Sequence, residues 1–137
     1  MTTSKASVAE LKKVLRDCAF LAPYSLQVVS CDSSVCSLLV PYQPALERPG
    51  GIVSGMTLMG AADVAMWLAI MTLRGTTETW VTSDMKTAFL RSGREVDVIC
   101  TANVLKSGSR TMYGTAESIS ASGELLAHHV LTYMRVE

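Results

Sequence analysis

The segment Met56–Leu73 constrains this chain more than any other. Its eighteen residues hold only Thr57, Asp63 and Thr72 as polar side chains, beside Gly60 and four alanines. Such a run reads as a helix covered on nearly all sides. Its length approaches the ~20 residues that cross a bilayer, but Asp63 near its middle would cost about 3 kcal/mol in lipid. Everything downstream alternates apolar and polar residues as a half-buried sheet does. The segment is therefore expected as the core helix of a domain that wraps it, with no membrane partner.

The material for wrapping is legible on both sides. Ser7–Phe20 places Val8, Leu11, Val14 and Leu15 on one face and Lys12, Lys13, Arg16 and Asp17 on another, predicting an amphipathic helix that ends near Pro23. Tyr24–Cys31 and Val35–Tyr42 are apolar, β-branched runs separated by Cys31-Asp32-Ser33-Ser34, which predicts a hairpin. Pro41–Gly51 reads as a loop. After Arg74-Gly75 come four strand-like runs, Glu78–Leu90, Glu95–Lys106, Arg110–Ile119 and Leu125–Val136. Gly93, Gly108 and Gly123 sit in the three intervening turns, where a short hairpin loop needs positive φ, so a consecutive antiparallel meander is expected. Val96, Val98, Cys100, Ala102 and Val104 alternate with polar residues and should face the core. The order predicts an α+β fold, one domain over residues 1–137, with a curved antiparallel sheet around the apolar helix.

Composition narrows the function. Twelve basic residues balance twelve acidic ones with no charged block, which argues against a nucleic-acid or membrane-surface partner. The apolar share is 49%, generous for a small monomer, and points to a second copy covering part of the surface. Cys18, Cys31, Cys36 and Cys100 lack metal-finger spacing and the N-terminus lacks an apolar leader, so free core thiols and a cytoplasmic setting are expected, with no metal.

Asp63 is the residue that packing does not explain, since a carboxylate among apolar groups must find a partner or change its protonation. On a helical period Met56, Met59, Gly60, Met66 and Trp67 share its face, whereas Leu58, Ala62, Ala65 and Ala69 form a narrow stripe suited to a sheet. The Asp63 face reads as a pocket wall. A carboxylate tied to a buried hydroxyl or to a second helix fits the spacing equally well. Upstream, Gly50-Gly51-Ile52-Val53-Ser54-Gly55 leads into the helix, whose first N–H groups point outward and could hold an oxyanion. Taken alone, Ser54 is simply an N-cap and the glycines a turn. The conjunction of outward amides and a carboxylate two turns on, bordering one cleft, is what suggests chemistry.

These residues resemble the PaaI-like branch of hot-dog acyl-CoA thioesterases, from about Tyr24 to Arg135. That branch carries a His-Gly-Gly turn, an apolar helix with a catalytic Asp nine residues after the His, and a strand ending Phe-Leu-Arg. Here the turn is Gly51–Met56, the helix contains Leu58–Ala65, and the strand runs from Thr82-Ser83-Asp84-Met85 to Phe89-Leu90-Arg91. Val104–Gly108, Gly123–Ala127 and Thr132-Tyr133 are similar to that family's last strands. The resemblance implies a hot-dog fold and hydrolysis of an acyl-CoA or other acyl-thioester. Asp63 would be base or nucleophile, the Gly55 N–H the oxyanion donor, and Thr82 a hydroxyl that orients water. It further implies a dimer or dimer of dimers with each site built from two chains, and no cofactor beyond coenzyme A as part of the substrate. Ser54 stands where the family keeps its His, Met56 replaces the second Gly, and Arg48 replaces an Asn of some relatives.

Other residues carry less. Ser54, Met56 and Ser83 border the implied substrate site, and Arg91, Lys106 and Arg110 at strand ends could meet coenzyme A phosphates or form a solvated rim. Trp67 and Trp80 could line an acyl tunnel or simply fill the core. His128 and His129 are adjacent on a strand and point to opposite faces, one buried and one exposed, which makes a shared metal difficult. The rival functions are a dehydratase or hydratase on the same fold, or an acyl-ligand binding module without catalysis.

Overall fold

The computed structural model describes residues 4–136. The first helix, α1 (Val8–Asp17), starts on a capping box in which Ser7 accepts from the Glu10 N–H and Glu10 accepts from the Ser7 N–H. Its apolar face buries Leu11 and Leu15. It ends earlier than the expected Phe20, because Ala19–Tyr24 winds as a 3-10 turn containing Pro23. The hairpin forms as β1 (Gln27–Asp32) and β2 (Val35–Val40), with Ser34 at φ 75° in the turn. Across it Cys31 stands directly opposite Cys36, and the two sulfurs are bonded. The expectation of four free thiols is corrected to two, Cys18 half-buried and Cys100 buried, because hairpin register puts the other pair face to face.

The stretch 41–51 is not a featureless loop. It holds a 3-10 turn, Pro44–Leu46, and a two-residue ladder of β3 (Glu47–Arg48) against β4 (Ile52–Val53), closed by Gly50 and Gly51 at positive φ.

The apolar helix α2 spans Gly55–Arg74, capped by the Ser54 hydroxyl on the Met56 N–H at one end and by Gly75 at φ 80° at the other. Leu58, Ala62, Ala65 and Ala69 are buried as their stripe requires, and Met66 joins them in the core instead of sharing the Asp63 face. The helix has the length and hydropathy of a membrane span, yet it is mostly covered by sheet. Helix and sheet approach closely at Gly114, where an added Cβ would lie 2.3 Å from the Asn103 carbonyl oxygen and 2.6 Å from the Met66 methyl.

The remaining strands are β5 (Thr79–Phe89), β6 (Val98–Ser107), β7 (Thr111–Ser120) and β8 (Leu125–Val136). Together with β1 and β2 they form one antiparallel sheet in the order β1-β2-β6-β7-β8-β5. The last three form the expected meander, with Val98, Cys100, Ala102 and Val104 facing the core. The first does not: β5 pairs with β8, not β6. Ser92-Gly93-Arg94 is therefore no hairpin turn. Leaving α2, the chain runs along one flank of the helix as β5, then crosses to lie beside β2. The crossing is pinned by Val53 N–H on the Gly93 carbonyl and by Arg94 on the Gly50 carbonyl, both 2.8 Å. Of the three turn glycines only Gly123 has positive φ; Gly93 is needed for space, since a Cβ there would meet Leu126 at 2.8 Å. This six-stranded sheet curled around one long helix is the hot-dog fold.

Candidate active site

The curl leaves one face of α2 between the sheet edges β1 and β5. Gly60 is exposed there, and Asp63 and Trp67 are half-buried at three- and four-residue spacings. Asp63 is met from the β5 flank. Thr82 and Tyr133 face each other across β5 and β8, and the register slips immediately after Thr82, leaving Ser83 as an extra residue in a bulge. A bulge bends its strand and re-aims the neighbouring side chain. The Thr82 hydroxyl donates to Asp63 Oδ1 at 2.5 Å, and the Tyr133 hydroxyl reaches the same oxygen at 2.6 Å and the Asp63 carbonyl oxygen at 2.7 Å. Among the described residues, nothing donates to Oδ2. Burial, with the Asp63 charge second, pushes the Tyr133 phenol well above its ordinary range, so it remains a proton donor.

Asp63, Thr82 and Tyr133 border a cavity of about 450 Å³, which Leu26, Trp67 and Trp80 line among others. This arrangement fixes the carboxylate by one oxygen and leaves the other to act as base or nucleophile.

Gly55 opens elsewhere. Eight residues separate it from Asp63, about 12 Å along the helix, and it borders a different cavity of about 460 Å³ with Arg48, Leu58, Phe89 and Arg91. The Phe89 ring lies over Gly55, 3.1 Å from where a Cβ would stand, so a side chain there would push this exposed ring aside by a few tenths of an ångström. As the first residue of the helix, Gly55 has an N–H without an intrahelical acceptor. The single cleft expected for the two groups is two cavities in this chain.

The other candidates scatter. Ser54 is engaged as the N-cap, Met56 projects into solvent with 80% of its surface exposed, and Ser83 donates to the Thr132 carbonyl at 3.2 Å. Arg91 pairs with Glu124 at 2.7 Å near Leu126, whereas Arg110, just past the end of the strand bearing Lys106, lies beside Arg135. Nine residues of β8 separate those two places, roughly 30 Å, so the three cations do not form one anion site within a chain. His129 is fully buried, its ring nitrogens each 2.8 Å from Thr87 and Ser118 hydroxyls, while His128 is half-buried rather than exposed. Neither histidine borders the Asp63 cavity. Among the described residues no cluster suited to a metal ion occurs.

Tyr133 is the site residue that sequence reasoning passed over. Its signal is a phenol on the core face of a strand, which demands a partner when buried. The pairing that identifies the partner depends on β5 lying beside β8.

A curled antiparallel sheet wrapped around one long helix defines the hot-dog class. The thioesterase superfamily model matches residues 50–127, more than half of the chain, and the protein belongs to that superfamily. Among solved structures, a conserved protein of Pseudomonas aeruginosa is 28% identical, covering 86% of this chain and 94% of that one with a TM-score of 0.81. A thioesterase of Haemophilus influenzae, 15% identical, covers 99% and 96% with a TM-score of 0.89. The Escherichia coli PaaI protein from the phenylacetic acid degradation operon, 18% identical, covers 96% and 97% with a TM-score of 0.83. The last two are likenesses of fold. No curated protein matches the sequence. Membership of the superfamily supports acyl-thioester hydrolysis as the general class of activity.

Proposed function

We propose that this protein hydrolyses acyl-CoA, or a related acyl-thioester, to the free acid and thiol, with Asp63 as the catalytic carboxylate. The observation that carries the reading is the Asp63 side chain itself: a carboxylate at the cavity wall with Oδ1 held by two hydroxyls and, among the described residues, no donor on Oδ2. In the general-base route Oδ2 takes a proton from water while the water oxygen bonds to the thioester carbon, and the carbonyl electrons move to oxygen. That oxyanion needs a preorganised donor. When it collapses the C–S bond breaks, and the departing thiolate recovers the proton from Asp63. In the nucleophilic route Oδ2 attacks the carbon directly and the C–S bond breaks, expelling the thiolate and leaving a mixed anhydride. Water then opens it to the free acid and the Asp63 carboxylate, and a proton from that water ends on the thiolate. Thr82 and Tyr133 orient the carboxylate in both.

The Gly55 N–H is the proposed oxyanion donor. Because it lies about 12 Å from Asp63 of its own chain, it serves the carboxylate of a second copy. The long unpaired edge of β5, eleven residues, is a surface available for that copy. Coenzyme A enters only as part of the substrate, Arg91, Lys106 and Arg110 being candidates for its phosphates, and a cytoplasmic setting is proposed with that substrate. A dehydratase reading is disfavoured by the absence of a histidine at the Asp63 cavity.

Thiol release from a panel of acyl-CoA esters tests the proposal. Wild type should turn over at least one ester, and Asp63→Asn should lower kcat by roughly 10²-fold or more. Acyl-CoA binding without turnover by the wild type would instead identify a binding module.

A further inference from the structure

The Asp63 cavity has two chemically different ends. At one end stand the carboxylate and its hydroxyl donors. Trp67 lies one helical turn beyond Asp63, about 6 Å along α2. Trp80 lies two residues from Thr82 on the same face of β5, about 7 Å away. Leu21 and Leu26 close the side opposite β5, with Phe20, 74% exposed, at the rim.

Trp80 is held from behind. Its indole N–H donates to Glu78 Oε1 at 3.1 Å, and the same carboxylate accepts from Arg74 at 2.8 and 2.9 Å and pairs with Arg135 at 3.1 Å. The Arg74 guanidinium lies 6.0 Å from the centre of the Trp80 ring. These bonds, that from Arg74 foremost, hold the Glu78 carboxyl down to about 2, so the cluster keeps its charge at ordinary pH. Both cations nearest the far wall are engaged by Glu78, and the indole N–H has no capacity left for a ligand.

We propose that this cavity is the acyl subsite, that it takes an uncharged apolar acyl group well above acetyl in size, and that Trp80, positioned by Glu78, sets the far limit of that group. The proposal rests on the thioester reading above. Size and polarity support it. The cavity of about 450 Å³ falls in the range of small-ligand sites, roughly 300–1,000 Å³, and an apolar void of about 150 Å³ already accepts benzene. Acetyl would leave most of the space as water against two indoles. A terminal carboxylate would be desolvated there without an available cation.

Gly60 provides a test that does not threaten the fold. It lies on the cavity wall one turn before Asp63, and an added Cβ meets nothing within 4 Å. Gly60→Leu therefore fills the cavity while improving helix propensity. The experiment measures kcat/KM by thiol release for acetyl-, hexanoyl-, phenylacetyl- and succinyl-CoA with wild type, Gly60→Leu and Glu78→Gln. Hexanoyl- and phenylacetyl-CoA should exceed the other two by about tenfold or more, and Gly60→Leu should reduce that advantage by a similar factor. Glu78→Gln should raise KM for the larger esters with little change in kcat. A preference for acetyl- or succinyl-CoA, or an equal loss on all four esters in Gly60→Leu, would overturn the subsite. If wild type releases thiol from none, the hydrolysis reading fails, and the subsite is judged by tryptophan fluorescence. Quenching by hexanoyl-CoA beyond that by coenzyme A, and weakened in Gly60→Leu, sustains it; equal quenching by both overturns it.

Discussion

The Tyr133 hydroxyl stands 2.6 Å from Asp63 Oδ1 and 2.7 Å from the carbonyl oxygen of the same residue, so one strand residue holds both the side chain and the backbone of the helix carboxylate. Only one proton is available for the two contacts. Thr82 supplies the second donor to Oδ1.

Removing the phenol should therefore affect stability and rate together. Tyr133→Phe leaves Asp63 acceptors short of a donor in a site 4% exposed at residue 133, an expected cost of about 1–3 kcal/mol in urea unfolding. Thr82→Val, at an exposed position, should lower kcat for thiol release with a smaller loss of stability. Wild-type kcat in both variants would show that the carboxylate needs neither hydroxyl.

A site shared between chains has a signature in mixed oligomers. Asp63→Asn and Gly55→Pro should each be nearly inactive, proline being tolerated at the first helical position while removing the N–H. Unfolded together and refolded as an equal mixture, they should recover about a quarter of wild-type activity, since half the dimers are hybrids with one intact site of two. No recovery, with both variants folded by circular dichroism, would assign catalysis to a single chain.

His129 makes the fold sensitive to acid. Burial, with His128 adding to it, pushes the imidazole down to about 4 from an ordinary 6.5. The unfolded chain then binds a proton that the folded chain does not, so stability rises with pH between those values and falls as pH drops from 6.5 toward 4. The contribution is about 3 kcal/mol across the window at ~1.4 kcal/mol per unit. Urea midpoints at pH 7 and 4.5 should differ accordingly, and the difference should shrink in His129→Gln. An unchanged difference in that variant would place the acid sensitivity elsewhere.

Thiol counting checks the hairpin pairing. Without reductant, unfolded protein should accept two alkyl groups, on Cys18 and Cys100, and four after reduction, because Cys31 and Cys36 are bonded. Native protein should label chiefly at Cys18. Four labels without reductant would mean that the hairpin cysteines are thiols in the purified protein.

The elements themselves were legible because each rests on local chemistry. The apolar run Met56–Leu73 could only be a covered helix, the Ser54 cap and Gly75 end it within two residues of expectation, and period-2 alternation located β6 through β8. Asp63 stood out as a charge in the wrong surroundings, which needs no coordinates to notice. The meander failed at β5 for an equally physical reason: turn glycines report local backbone demands, whereas the partner of an edge strand is set by which flank of the helix the chain descends. Gly93 answers a packing demand from Leu126, not a turn.

Sequence by itself determined that one helix carries a carboxylate into an apolar core and that a curled sheet must enclose it, because burial and periodicity act within a few residues of the chain. Tertiary structure alone decided that β5 lies beside β8, that Tyr133 and Thr82 converge on Oδ1, and that Gly55 opens away from Asp63. Those relations join residues separated by 19 to 70 positions or by a helix length; the closure of the sheet around α2 brings the first set together, and the rise of the helix keeps the second apart.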